Sequence, residues 1–305
     1  MRVLVVGRGG QVATELRVRL PAAGHQVTAL GPPELDLARA ETIADALDRF
    51  RPEAVVNAAA YTAVDRAEEE PDRAFAVNAA GPGLLGEAAR ARGGIPVLHL
   101  STDYVFDGTK GAPYTEADPP SPAGAYGASK LEGERRLHAA QPRATTLRTA
   151  WVCSPHGSNF VKTMLRLGRE RPELRVVADQ RGAPTFADDL ADAAAALLPR
   201  LAAAPAGDPA FGVFHLAGAP HTTWHGFAAA ILAGGEARGL LRPPAPRLVA
   251  IATADYPTRA RRPADGRLDC GRAAAVLGLR APDWRAGLDR CLDAIRAQEG
   301  EAVAR

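Results

Sequence analysis

Arg2-Val3-Leu4-Val5-Val6-Gly7-Arg8-Gly9-Gly10-Gln11-Val12-Ala13 decides the fold. Its first five residues are dominated by branched aliphatics without polar alternation, the pattern of a strand buried on both faces of a parallel sheet. The run stops at Gly7, and a helical pattern opens after Gly10 and continues to about Leu20. Small residues at 7, 10 and 13 meet three needs: a tight turn, close approach of backbone to a ligand, and contact between helix and strand. A phosphate at such a helix start meets unpaired N–H groups and the positive end of the helix dipole. A glycine-rich turn alone can be purely structural; between a buried strand and a helix it marks a dinucleotide site.

Working outward, the alternation repeats. Gln26 to Leu30 reads as a second strand, and a helix from Arg39 to Arg51 leads into Glu53-Ala54-Val55-Val56-Asn57. A long helix from Asp72 to Arg92 precedes Val97-Leu98-His99-Leu100-Ser101, another opens near Tyr126, and Thr145 to Thr149 is the next strand. Strand and helix in strict alternation with short connections predict an α/β protein, a Rossmann-like doubly wound parallel sheet with helices on both faces. Past Trp151 the pattern loosens around Pro184, Pro205 to Pro209 and Pro243 to Pro246. Helices are expected over Asn159 to Arg169, Ala187 to Leu201 and Trp284 to Gln298, and Gly212 to Ala217 reads as a strand returning to the main sheet. The division expected is an NAD(P)-binding domain over residues 1–150 and a smaller substrate-binding part over 151–305, with residues 202–209 a surface loop.

Composition narrows the class. The chain has 305 residues, 47% of them hydrophobic, and a formal net charge of +2, so no nucleic-acid or polyanion role is signalled. Three lysines stand against 34 arginines, which with the many alanines resembles GC-rich codon usage more than a basic face. Cys153, Cys270 and Cys291 lack C-x-x-C spacing, which argues against a disulfide scaffold or a cysteine zinc site and suits a reducing cytosol. No apolar stretch approaches membrane-spanning length, and the first 25 residues lack a signal-peptide pattern. A cytoplasmic protein without a membrane partner is expected.

Two further segments carry chemistry. In Tyr126-Gly127-Ala128-Ser129-Lys130, residues four apart share a helix face, so the ammonium can lie beneath the phenol and lower its pKa, giving a usable acid or base. A chance pair on a surface helix would look the same. Leu100-Ser101-Thr102-Asp103-Tyr104-Val105-Phe106-Asp107-Gly108 ends a buried strand, where open α/β sheets gather ligand chemistry. A hydroxyl there can hold a carbonyl oxygen beside a tyrosine acid, or simply cap a turn.

In this order the three segments resemble the extended short-chain dehydrogenase/reductase family, and within it the branch that reduces the 4-keto group of dTDP-4-dehydro-L-rhamnose. The resemblance runs nearly end to end through Asn57-Ala58-Ala59-Ala60-Tyr61-Thr62-Ala63-Val64-Asp65, Arg148-Thr149-Ala150-Trp151-Val152, Asn159 to Leu165, Gly182-Ala183-Pro184-Thr185 and Tyr256 to Pro263. It implies that Gly7, Gly10, Gln11 and Val12 lie along a cofactor pyrophosphate, that Asp36 and Leu37 flank the adenine, and that Ala60, Tyr61 and Thr62 line the ribose. It further implies that Leu100, Tyr126 and Lys130 meet the nicotinamide side, that Thr102, Asp103 and Trp151 touch a dTDP-4-dehydro sugar, and that Tyr126, Lys130 and Thr102 are catalytic. The family's third glycine is Ala13 here, which still packs closely. Leu30-Gly31 lacks the acid that binds a ribose 2′-hydroxyl, and Arg8 is near in sequence, so NADPH is expected, with NADH also usable.

Other residues stay open between a role and none. His99 reads as a core histidine, and Glu68-Glu69-Glu70 as a solvated face. Arg259, Arg261 and Arg262 either pair with a substrate diphosphate or are surface charge. Asn78 either floors the site or makes a local hydrogen bond. Some relatives bind metal between subunits, and Glu15 matches one such position; no complete metal set is found here, and none is expected, while a homodimer is possible. A dehydratase would want an acidic pair after Thr102, but Tyr104 follows Asp103. An epimerase keeps NAD and returns the hydride, and a non-catalytic NADP-binding regulatory subunit usually has a damaged tyrosine–lysine pair. Stoichiometric consumption of NADPH by a 4-keto sugar nucleotide separates these readings.

Overall fold

Buried branched aliphatics dictate where the central strands fall. In this computed structural model, which describes the backbone of residues 1–303 and the side chains of residues 1–300, β1 (Arg2–Val6) buries four of its five residues. It is followed by α1 (Gln11–Ala22), β2 (Gln26–Leu30), α2 (Ala40–Phe50), β3 (Ala54–Asn57), the short α3 (Val64–Ala67) and α4 (Pro71–Phe75), and α5 (Gly81–Ala91). Then come β4 (Val97–Thr102), α6 (Ala125–Ala140), β5 (Ala144–Thr149), β6 (Val152–Cys153), α7 (Phe160–Glu170), β7 (Glu173–Val177), β8 (Arg181–Gly182) and β9 (Thr185–Phe186). The rest comprises α8 (Ala187–Ala203), β10 (Gly212–His215), β11 (Thr222–Thr223), α9 (Trp224–Ala237), β12 (Arg247–Ile251) and α10 (Trp284–Val303).

Six strands form one sheet in the order β2-β1-β3-β4-β5-β10, every pair parallel. The chain moves outward from β1 to β2 and then crosses back to β3, so the strand order reverses between β1 and β3. A crevice opens beyond the C-terminal strand ends at such a switch point. Gly7 stands at its edge with φ +115°, and a Cβ there would lie 3.3 Å from the Ala58 carbonyl carbon. Both the dihedral and the close approach require glycine.

Alternation along β1 splits the core into two layers. Val3 and Val5 pack with Leu16 and Leu20 of α1 and Leu197 and Leu198 of α8. Leu4 and Val6 face Ile43 and Leu47 of α2, Leu85 of α5 and Leu137. The doubly wound parallel sheet expected from the first segment is thus the observed architecture.

Two expectations need correction, and a third gains a detail. The long helix expected over Asp72 to Arg92 runs without a break from Pro71 to Ala91, with a π-helical turn at Ala76–Ala80 joining α4 to α5. β10 ends at His215, two residues short of the expected run. The C-terminal half holds more order than its sequence suggests, including α9, the parallel pair β7–β12 and the two-residue pairs β6–β9 and β8–β11. Glycines at 226, 234 and 235 weaken the helical signal of α9, and two-residue strands have no period to detect. These elements enclose a second core around Phe186, Phe227, Ile231, Trp284 and Leu292, while α8 and β10 belong with the main sheet.

Candidate functional site

The turn between β1 and α1 presents bare backbone. Gly10 is the extended N-cap of α1 and no side chain caps the helix, so its first N–H groups have no intrahelical partner. Nothing lies within 4 Å of where a Cβ at Gly9 or Gly10 would stand. Open donors at a helix start beside the switch point fit a pyrophosphate. The Gln11 side chain is otherwise engaged: Nε2 donates to the Val152 carbonyl at 3.2 Å, and Oε1 accepts from Ser154 Oγ at 3.0 Å and Asn159 Nδ2 at 2.8 Å. Only its backbone N–H is left for a ligand, and Val12 is buried.

After β2, Asp36 Oδ1 accepts from the Ala38 N–H at 2.9 Å and Leu37 is buried, which shapes the loop facing the crevice. Arg8 corrects the sequence reading. Its Nη1 lies 3.1 Å from Glu34, and Nη2 donates to the Pro32 carbonyl at 3.3 Å. An acid does reach the end of β2, from the following loop rather than from Leu30 or Gly31, and it holds the arginine.

Ala60, Tyr61 and Thr62 follow β3, with Ala60 and Tyr61 partly buried and Thr62 exposed. Asn78, buried in the π turn, holds the Tyr61 backbone from both sides: Oδ1 accepts from its N–H at 2.8 Å and Nδ2 donates to its carbonyl at 3.0 Å. Nδ2 also reaches Ser129 Oγ of α6 at 3.1 Å. The Tyr61 hydroxyl donates to Glu70 at 3.0 Å.

At the far end of the crevice stand Tyr126 and Lys130, one turn apart on α6. Lys130 is buried; its Nζ donates to the Leu100 carbonyl at 2.7 Å and lies 3.2 Å from His99 Nε2. Desolvation brings its pKa down to about 8, with Glu134 opposing. Tyr126 is pushed up to about 12 by burial; a hydrogen bond with the Thr102 hydroxyl opposes this and the Asp103 charge adds to it. Burial thus acts in the direction opposite to the lowered phenol pKa expected from a cation at Lys130. Thr102 Oγ1 contacts Asp103 Oδ1 at 3.1 Å, and burial pushes the Asp103 carboxyl up to about 7.

Trp151 takes a left-handed φ of +47°, and its ring stacks on Trp224 with centroids 3.6 Å apart. Beyond Trp224 opens a cavity of about 620 Å³ lined by Phe160, Met164, Gln180, Tyr256 and Arg262 among others. Arg262 reaches it while paired to Asp65 at 2.8 Å; Arg259 lies against Glu69, and Arg261 is exposed. The three glutamates at 68–70 are partners rather than a free face: Glu68 accepts from the Ala125 N–H at the start of α6 at 2.8 Å, and Glu70 pairs with Arg66 and Arg73. Glu15 meets Arg19 at 3.6 Å and His156 at 3.2 Å, and among the described residues no cluster of three or more His, Cys, Asp or Glu could hold a metal.

The structure adds contacts that sequence reasoning passed over. His99 sits beside Lys130 with Asn57 on its other side, the Glu134–Arg148 pair and Ser101 are buried nearby, and Trp224 backs Trp151. Only the pairing of β3 with β4 reveals the first two, because they are 42 residues apart in the chain.

A model of the RmlD substrate binding domain matches residues 1–297. The dTDP-4-dehydrorhamnose reductase of Burkholderia thailandensis is 46% identical over 98% of this chain and 100% of its own length. The crystal structure of a dTDP-4-dehydrorhamnose reductase from Clostridium acetobutylicum superposes with TM-score 0.88 at 33% identity, covering 97% of this chain and 100% of that one. That of the Bacillus anthracis enzyme, in complex with NADP, gives 0.87 at 30% identity, covering 96% and 99%.

Proposed function

The chain belongs to the RmlD substrate binding domain family, that of the dTDP-4-dehydrorhamnose reductases, and on that premise we propose that it reduces the 4-keto group of dTDP-4-dehydro-L-rhamnose to dTDP-L-rhamnose. It is an NADPH-dependent oxidoreductase, with NADH also usable. One observation supports the reading: bare helix-start donors stand at the C-terminal end of β1 at the β1/β3 switch point, and Thr102 stands at the C-terminal end of β4 in the same parallel sheet, with Lys130 of α6 bonded to Leu100 of that strand.

The Gly7–Val12 turn, Asp36 and Leu37, and Ala60 to Thr62 would hold NADPH, which when bound would supply a hydride for the C4 carbonyl. As charge builds on that oxygen, Tyr126 gives it a proton. Thr102 positions the oxygen by a hydrogen bond, and Lys130 with the Leu100 carbonyl orients the nicotinamide ribose. Asp103 and Trp151 grip the sugar, and the 620 Å³ cavity beyond Trp224 takes the nucleotide, with Arg262 available to a phosphate. A cytoplasmic location, which the three unpaired cysteines favour, and a homodimer complete the proposal. Among the described residues no helix is long and apolar enough to cross a membrane.

The test is NADPH oxidation with the 4-keto sugar nucleotide. One equivalent consumed per sugar supports a reductase, and no net consumption excludes it. Tyr126→Phe should lower kcat by about 10²–10⁴-fold with little change in NADPH affinity. Near-normal turnover in that variant would remove Tyr126 from the chemistry.

A further inference from the structure

Residues 252–259 are exposed, and the chain then turns inward to bury Ala260. A buried backbone N–H needs an acceptor. That of Ala260 finds Asp65 Oδ1 at 3.1 Å, on α3 of the half that carries the dinucleotide turn. The same carboxylate accepts from Arg262 Nη1 at 3.2 Å and from Nη2 at 2.8 Å. The Arg262 bond holds the Asp65 carboxyl below its ordinary pKa, against the opposing effect of desolvation. Among the described residues, the polar contacts that 257–262 make outside their own segment go to Asp65 and Glu69. Past this segment the chain is fixed to β8: the Arg181 N–H donates to the Ala264 carbonyl at 2.9 Å, and the Gly266 N–H to the Arg181 carbonyl at 2.8 Å. Gly108 closes against Pro263, where a Cβ would stand 2.7 Å from the proline Cα. Residues 257–262 are thus a strap, rooted in the C-terminal half and tied across to α3.

Arg262 lines both the cavity beyond Trp224 and a neighbouring one beside Gly108 and Asp179. Asp65 takes one hydrogen from each Nη, which leaves the Nε–H and the second hydrogen of each Nη for an anion. A phosphate can therefore bond the guanidinium without displacing the carboxylate. An arginine on an untethered loop loses rotamer freedom when it takes a ligand, and a side chain already held loses less. Both groups of this pair are partly exposed, so the pair adds little to fold stability. What it fixes is where Arg262 points. We propose, on the footing that the cavity beyond Trp224 takes the sugar nucleotide, that Asp65 is a positioning residue. It draws the strap across to α3 and holds the Arg262 guanidinium ready for the ligand's diphosphate, and it stays bonded to Arg262 when the ligand binds.

Calorimetric titration with dTDP, which carries the diphosphate without the sugar, compares Asp65→Ala with Asp65→Asn. Both variants lose the same charge, but asparagine keeps a carbonyl acceptor for the Ala260 N–H and one Nη. Asp65→Ala should bind dTDP about three- to tenfold more weakly than Asp65→Asn. Equal affinities, or tighter binding by the alanine variant, overturn the assigned role. In an Arg262→Ala background the difference between the two should vanish. A difference that persists there means that Asp65 does not act through Arg262, which also overturns it. Should the alanine variant fail to fold, a crystal structure of the wild type with dTDP decides. Arg262 should bond Asp65 and a phosphate oxygen together; release from Asp65, or no contact with phosphate, defeats the proposal. A wild type that does not bind dTDP defeats it too. NADPH oxidation enters none of these measurements. A wild type that binds dTDP through Arg262 yet consumes no NADPH with the 4-keto sugar nucleotide removes the proposed reduction and leaves the role of Asp65 standing.

Discussion

Arg8 and Glu34 meet where the adenosine ribose of a dinucleotide is proposed to lie. A 2′-phosphate reaching Arg8 has to compete with the Glu34 carboxylate, whereas a 2′-hydroxyl can donate to that same carboxylate. One ion pair thus serves both cofactors, each at less than its full advantage. Both side chains are half exposed, so solvent and salt blunt the effect. Glu34→Gln frees the guanidinium and should raise the kcat/KM preference for NADPH over NADH by about fivefold. Steady-state kinetics with both cofactors at low ionic strength check this, and an unchanged ratio would mean that Arg8 does not read the ribose.

Between elements, the π turn and α6 are fitted to each other. Gly133 of α6 lies against the Asn78 carbonyl, and a Cβ there would run into that oxygen. The neighbour is backbone, so it cannot swing away. The same asparagine holds the Tyr61 backbone and Ser129. Gly133→Ala should therefore cost about 1–3 kcal/mol of stability by overpacking, although alanine is the better helix former. Because the strain passes through Asn78 to Tyr61, NADPH affinity should fall as well. Denaturant midpoints and a binding isotherm test the two halves, and a stabilised Gly133→Ala protein would show that the two helices can separate freely.

At the scale of the molecule, buried ionisable groups oppose one another over the acid range. Burial raises Asp103 to about 7 and Asp189 to about 6 from an ordinary 3.8. Their contribution is fully present below pH 3.8 and is lost as pH rises through those values. His215 is lowered by burial from 6.5 to about 4, and His99 is also lowered; their contribution is present above pH 6.5 and is lost as pH falls. Between about pH 4 and 6.5 the acids favour acidification and the histidines resist it. Asp103→Asn removes the larger acid contribution, so its melting temperature should drop more steeply than that of the wild type from pH 6.5 to 4. Thermal melts across that range measure the difference, and parallel curves would mean that Asp103 ionises normally.

Local chemistry along the chain was enough for the parallel sheet. Val3 to Val6 can only be a strand buried on both faces, Gly7 is required by a turn and a close contact, and the strand–helix alternation leaves little choice of topology. Tyr126, Lys130 and Thr102 were legible for the same reason, since helical spacing and a strand end are local facts. What surrounds them was not. The partner of Lys130 is His99, the residue that orients His99 is Asn57, and the acid on Arg8 is Glu34, each set by which segments come side by side. The π turn at Asn78 and the Trp151–Trp224 stack belong to this second kind too. Periodicity reports how one segment divides itself between core and solvent, but a hydrogen-bond partner depends on a group dozens of residues away, and only the packed chain brings that group within reach.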